Sequence, residues 1–144
     1  MMAIMAAALL TASCARQQLS VEDLRVEHMQ NPSVVDATQP RLSWINTPKS
    51  QTARGLKQTA YRIVVATSQR ALTQKAGGRE LLWDSEQVES EETLQIPYQG
   101  RRLPCQSDIY WQVTVWLSTG ERIKSPVQKF NTGMQLADWH AQWI

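Results

Sequence analysis

The chain has 144 residues, 42% hydrophobic and 19% charged, which is the balance of a globular protein with one core and excludes a wholly disordered chain. Fifteen Lys and Arg against thirteen Asp and Glu leave a formal charge of +2, and the basic residues stand singly apart from Arg101-Arg102. No basic stripe is present, so nucleic acid is not an expected partner.

Residues 1–13, MMAIMAAALLTAS, are an apolar run ending in small residues directly before Cys14. The run is too short to span a bilayer and has the form of an export signal. Leu10-Thr11-Ala12-Ser13-Cys14 resembles a bacterial lipobox, which makes Cys14 the expected lipidation site and mature N-terminus. On this reading the protein is exported and held at the cell envelope, in the periplasm or on the cell surface. It touches membrane only through the lipid at Cys14. Residues 14–20 read as a tether, 21–133 as one β-sandwich domain and 134–144 as a linker into a following domain.

Along the mature chain the apolar residues recur mostly with the period of strands. Residues 19–29 alternate, with Leu24, Val26 and His28 on one side, until Asn31-Pro32 ends the pattern. In residues 41–46, Leu42, Trp44 and Asn46 share a face opposite Ser43 and Ile45, which makes Trp44 a core candidate. Residues 58–67, QTAYRIVVAT, are apolar on both sides and predict a central strand. Ser68 is placed to cap one short connecting helix through Ala71 and Leu72, stopped by Gly77-Gly78. Residues 81–85 and 93–98 predict edge strands, the second closed by Pro97 and Gly100. Residues 108–118 alternate throughout, with Trp111, Val113, Val115 and Leu117 opposite Tyr110, Gln112, Thr114 and Trp116. After the turn at 118–121, residues 123–131 are expected to return as a hairpin partner. About seven strands and one short helix predict an all-β, antiparallel sandwich.

Chemistry-bearing residues are sparse. His28 and His140 sit far apart, at no zinc-ligand spacing, and no nucleophile elbow or phosphate loop is present. No catalytic residue, metal ligand or cofactor site is therefore expected. The acidic run Glu89, Glu91 and Glu92 reads as a solvated turn, because a general acid needs a carboxyl desolvated in a pocket. Trp83, Tyr98 and Trp116 are aromatics that alternation does not force into the central core, and they are candidates for stacking on a sugar ring or for packing against another domain. Trp139, Trp143 and Ile144 follow the last strand and are candidates for an interdomain contact.

An ordered set of strings resembles the first domain of bacterial α-L-rhamnosidases of glycoside hydrolase family 78. It runs through Leu24-Arg25-Val26-Glu27 with Asn31-Pro32, Pro40-Arg41-Leu42-Ser43-Trp44, Gln58-Thr59-Ala60-Tyr61-Arg62-Ile63-Val64-Val65-Ala66 and Leu82-Trp83-Asp84-Ser85. It continues through Tyr98-Gln99-Gly100, Tyr110-Trp111-Gln112-Val113-Thr114-Val115-Trp116, Phe130-Asn131-Thr132-Gly133 and Trp139-His140-Ala141-Gln142-Trp143-Ile144. The resemblance implies a fibronectin-type-III or immunoglobulin-like sandwich leading into further domains of the same polypeptide, with catalysis in an (α/α)₆ barrel beyond this chain. It implies an inverting parent hydrolase that releases terminal α-L-rhamnose, whose two carboxylates have no matching positions here. The fragment itself is expected to be inactive. The alternative is a free-standing surface lipoprotein that binds rhamnosylated or other glycans without cleaving them.

Overall fold

The computed structural model describes residues 18–73 and 78–134, and the leader, Cys14, His140, Trp139, Trp143 and Ile144 lie outside them. The strands are β1 (Leu19–Val26), β2 (Arg41–Pro48), β3 (Gln58–Ala66), β4 (Leu81–Asp84), β5 (Ile96–Pro97), β6 (Asp108–Leu117), β7 (Arg122–Lys124) and β8 (Gln128–Asn131). Strands β1-β2-β5 form a three-stranded sheet, and β4-β3-β6-β7 with β8 form a five-stranded one. All strand pairs are antiparallel, so the expected all-β, antiparallel sandwich is the observed architecture.

Eight strands replace the expected seven because the return strand is broken. Pro126 has no N–H to give to the ladder, and Ser125 turns its hydroxyl inward instead, where it accepts from Val113 N–H at 3.1 Å and donates to Pro126 O at 2.8 Å. β7 and β8 therefore both pair with β6, through Thr114–Trp116 and Asp108–Trp111 respectively. The connecting helix is a single 3₁₀ turn, Arg70–Leu72, with the Ser68 hydroxyl accepting from Ala71 N–H at 3.3 Å. Ala71 and Leu72 are buried beside Ala66, so this connection carries a small core of its own.

The core lies between the sheets. Trp44 of β2 meets Tyr61 of β3 edge-on at 5.4 Å, and Ile63, Val65, Trp111, Val113 and Val115 close the space around them. Two bulges set which residues face inward. In β1 the register shifts between Glu22 and Arg25, with Asp23 at φ +48°, so Leu19 and Val21 point inward before the bulge and Leu24 and Val26 after it. β1 thus begins at Leu19, two residues inside the stretch read as a tether. In β3 the shift between Gln58 and Ala60 turns the polar Gln58 inward.

His28 is a turn residue, not a strand residue. Val26 and Met29 exchange both backbone hydrogen bonds at 2.9 Å around Glu27 and His28, which stand at φ +48° and +68°. Twin left-handed residues close a two-residue hairpin that suits strand twist. Glu27 is held there by Arg41, whose guanidinium lies 3.1 Å from its carboxylate and whose backbone N–H donates to it at 2.6 Å.

The facing of the two sheets is checked by two isoleucines. Ile63 is fully buried in β3 whereas Ile45 points outward from β2. Ile63→Ala is expected to lower the free energy of unfolding in urea by about 2–5 kcal/mol. Ile45→Ala is expected to change it by no more than about 0.5 kcal/mol. Similar losses at the two positions would contradict the assignment of faces.

Candidate functional site

The two tryptophans within the described residues that the sequence singles out lie on opposite sides of one sheet. Trp83 pairs with Val65 across β4 and β3 and leans inward, packed against the core and edge-on to Tyr98 at 5.3 Å. Trp116 alternates with the buried Val115 and Leu117 and so points outward, level with Ala60 on β3 and Arg122 on β7. The two rings cannot line one sugar. Cys14, Trp139 and Trp143 lie outside the described residues.

Tyr98 is a core residue, 2% exposed, rather than a surface aromatic. Its phenol donates to Arg101 O at 2.5 Å, and burial pushes its pKa up to about 12. Gly100 makes this packing possible, because a Cβ there would collide with the Cβ of Trp83 and the phenol of Tyr98. Sequence alternation misses Tyr98 because Pro97 ends the two-residue strand just before it, so the strand period does not extend to this ring.

Three carboxylates, Asp84, Glu27 and Asp23, are held ionised by neighbouring groups. Arg62 clasps Asp84 with two bonds of 2.8 and 2.5 Å and holds its carboxyl below the ordinary 3.8. Arg41 does the same for Glu27, below the ordinary 4.5, and Arg25 with Gln30 for Asp23. Glu89, Glu91 and Glu92 point into solvent, as a solvated turn requires, while the backbone carbonyls of Ser90 and Glu92 are tied inward to Gln58. Glycoside hydrolysis needs one carboxylic acid and one carboxylate facing each other across a sugar. Four grooves among the described residues bring together no such pair: one holds Glu22, one holds Asp23 and two hold neither Asp nor Glu. Among the described residues, no group of three or more His, Cys, Asp and Glu could hold a metal ion.

The outer faces of the two sheets differ in kind. The five-stranded sheet presents Arg62, Gln112, Thr114 and Lys124 around a small groove of about 160 Å³, with Trp116 further along β6. The three-stranded sheet presents Ile45 and Leu94 in a groove of about 340 Å³, bordered by Asp23, Arg25, His28, Ser43 and Gln95. Here the Gln95 amide meets His28 Nε2 at 2.8 Å, and Gln95 N–H donates to Ser43 Oγ at 3.0 Å. The outward facing of Ile45 is legible in the alternation of β2. Leu94 and Gln95 precede β5 in a segment whose φ at Gln95 is +58°, and no periodicity announces them.

Beyond β8 the chain passes between two loops before Met134. Thr132 bridges Val35, and Gly133 N–H donates to Val35 O at 3.1 Å. A side chain at Gly133 would strike Asp36 and Val34, so glycine is what lets the chain pass.

Residues 21–135 match the family model described as Rha78A-like, N-terminal immunoglobulin domain. The chain is 35% identical over 128 residues to an α-L-rhamnosidase of Streptomyces avermitilis, covering 88% of this chain and 12% of that protein. It is 33% identical over 120 residues to one from Formosa agariphila, covering 82% and 12%. The solved structure of the Streptomyces avermitilis α-L-rhamnosidase complexed with L-rhamnose superposes with a TM-score of 0.74 at 33% identity, covering 87% of this chain and 12% of that one. The α-L-rhamnosidase of Dictyoglumus thermophilum gives 0.74 at 32% identity, covering 86% and 14%. The chain thus spans about 12% of the length of the curated relatives it matches.

The ion pairs fix how stability depends on pH. A carboxylate whose folded pKa is depressed adds stability that is complete above its unfolded value and is lost as pH falls through the folded one. Asp84 and Glu27 are both of this kind. The urea midpoint is expected to hold level from about pH 7 to about pH 5 and to fall below about pH 4. Asp84→Asn should make that acid limb shallower, and an unchanged limb would contradict the role given to the Arg62 clasp.

Proposed function

Because the chain belongs to the family of Rha78A-like N-terminal immunoglobulin domains, we propose that it is the accessory N-terminal sandwich of an α-L-rhamnosidase polypeptide, with a structural and interdomain-positioning role and no catalysis of its own. The observation that carries this reading is the match of nearly the whole folded chain to a small part of each relative. The arginine-clamped carboxylates support it, since a carboxyl held ionised cannot protonate a leaving group. The partners on this reading are the other domains of the same polypeptide, and the parent's substrates are glycosides carrying terminal α-L-rhamnose.

Export and attachment to the cell envelope through a lipidated Cys14 belong to the same proposal, carried by the run MMAIMAAALLTAS before the cysteine. A second reading, a free-standing carbohydrate-binding lipoprotein, has one observation in its favour: Trp116, part-exposed among polar side chains on the outer face of the five-stranded sheet.

The purified 144-residue chain, incubated with an aryl α-L-rhamnoside and followed by release of the aryl alcohol, is expected to show no turnover above a blank. Turnover abolished by a substitution within this chain would overturn the accessory reading. Titration with rhamnosides by calorimetry separates the second reading, which requires saturable binding that Trp116→Ala removes.

A further inference from the structure

Among the tryptophans of the described residues, Trp116 is the exception. Trp44 and Trp111 belong to the core between the sheets and Trp83 packs against it, whereas Trp116 packs against neither hydrophobic cluster. It stands part-exposed on the outer face of the five-stranded sheet, level with Ala60 on β3 and Arg122 on β7. At the other end of this face the 3₁₀ turn is the cover, with Ala71 and Leu72 packed beside Val64, Ala66 and Tyr110. Where that cover stops lies the groove of about 160 Å³, lined by Val64 and Leu72 and by the polar Arg62, Gln112, Thr114 and Lys124. Trp116 follows Thr114 two residues further along β6, a step of about 7 Å.

The charge on this open part is one-sided. Arg62 is committed to Asp84, but Arg122 and Lys124, the exposed cross-strand partners of Trp116 and Thr114, form no ion pair among the described residues. Of the nearby acids, Glu86 acts on Arg62, and Glu121, next to Arg122 in sequence, has a carboxylate oxygen buried. Two unpaired cations on one sheet face draw an anion. Gln112 gives its Nε2–H to Ser125 O at 2.7 Å, which leaves its Oε1 to accept from a ligand hydroxyl. The exposed hydrophobic side chains Met29, Val34, Ile45, Leu94, Val127 and Met134 line no part of this groove, so it lacks the apolar centre of a protein contact.

We propose that this face binds an acidic saccharide, a short run of uronic acid residues, with one ring stacked on Trp116, the next in the groove beside Thr114, and their carboxylates at Arg122 and Lys124. Each part of such a ligand meets a matching group. An indole presents an apolar plane to the flat side of a sugar ring, a hydroxyl and an amide oxygen take the ring hydroxyls, and a guanidinium takes a carboxylate through two parallel bonds. An acidic peptide would meet the same cations but would bring no sugar ring to Trp116. The proposal goes beyond the accessory role, and from the second reading it takes only that Trp116 meets sugar.

The test titrates the full chain by calorimetry with tetragalacturonate, with the neutral cellotetraose and with a tetraglutamate peptide. Saturable binding of tetragalacturonate at millimolar concentration or below is expected, at least about tenfold tighter than either of the other two. Trp116→Ala, and separately Arg122→Gln with Lys124→Gln, are each expected to weaken it at least about tenfold. Absence of tetragalacturonate binding, equal binding of the neutral sugar or of the peptide, or variants that bind as well as the unaltered chain would overturn the proposal. A second measurement needs no variant with altered binding: on adding tetragalacturonate, the indole N–H resonance of Trp116, assigned by its loss in Trp116→Phe, is expected to move while that of the buried Trp44 stays. A fixed Trp116 signal would count against the site. Trp116-dependent binding of a rhamnoside without binding of tetragalacturonate would sink this ligand class and leave the second reading standing, and the accessory role fails only on turnover by the chain itself.

Discussion

One buried amide holds the two sheets in register. Gln58, at the start of β3, accepts from Trp44 Nε1–H at 3.1 Å and from Asn46 Nδ2–H at 2.9 Å, both on β2 in the other sheet. Its own Nε2 donates to Ser90 O at 3.1 Å and Glu92 O at 2.9 Å. All four hydrogen-bonding positions of the amide are used, which is the condition under which a polar group stabilises a core instead of weakening it. Two of these bonds also tie in the loop between β4 and β5, which Val88 and Thr93 join through the backbone to Tyr61 and Trp44. The bulge at Gln58 and Ala60 is what turns this side chain inward, so a single irregularity of the backbone couples both sheets and the acidic loop.

That coupling bears on function. A sandwich whose sheets are pinned by a specific polar contact, as well as by apolar packing, is a fixed body that can set the position of what is attached to it. Its edge strands are short or interrupted: β5 has two residues and a proline, β7 has three residues, β4 and β8 have four each, and β1 is bent by its bulge at Asp23. Such edges resist pairing with another chain, so association is left to the outer faces and the chain exit. One outer face carries Arg62, Gln112, Thr114 and Lys124 beside Val64 and Trp116, and the other carries exposed Ile45 and Leu94.

Sequence periodicity reveals the parts of this fold that obey a two-residue repeat. The inward set of β6, from Trp111 to Leu117, and the burial of Trp44 and Ile63 follow directly from alternation. What periodicity conceals is where the repeat breaks. Gln58 reads as an ordinary polar strand residue until the bulge reverses its facing, and His28 continues the alternation of β1 although two left-handed residues have already turned the chain. Pro126 stands inside the stretch expected to return as one strand, and the inward Ser125 hydroxyl shows that it divides that strand into two. For the candidate site, Trp83 and Trp116 were both legible as aromatics outside the central core. Their separation onto opposite sides of the sheet depends on pairing register, which one sequence does not display. The family resemblance reached further because it rests on the order of many short strings at once.

Gln58 and Trp44 act as one unit across the two sheets. A double-mutant cycle of Trp44→Phe and Gln58→Leu, read by urea unfolding, isolates their interaction from the packing each residue makes alone. A coupling energy of about 1–3 kcal/mol is expected. Effects that add to within about 0.5 kcal/mol would contradict it.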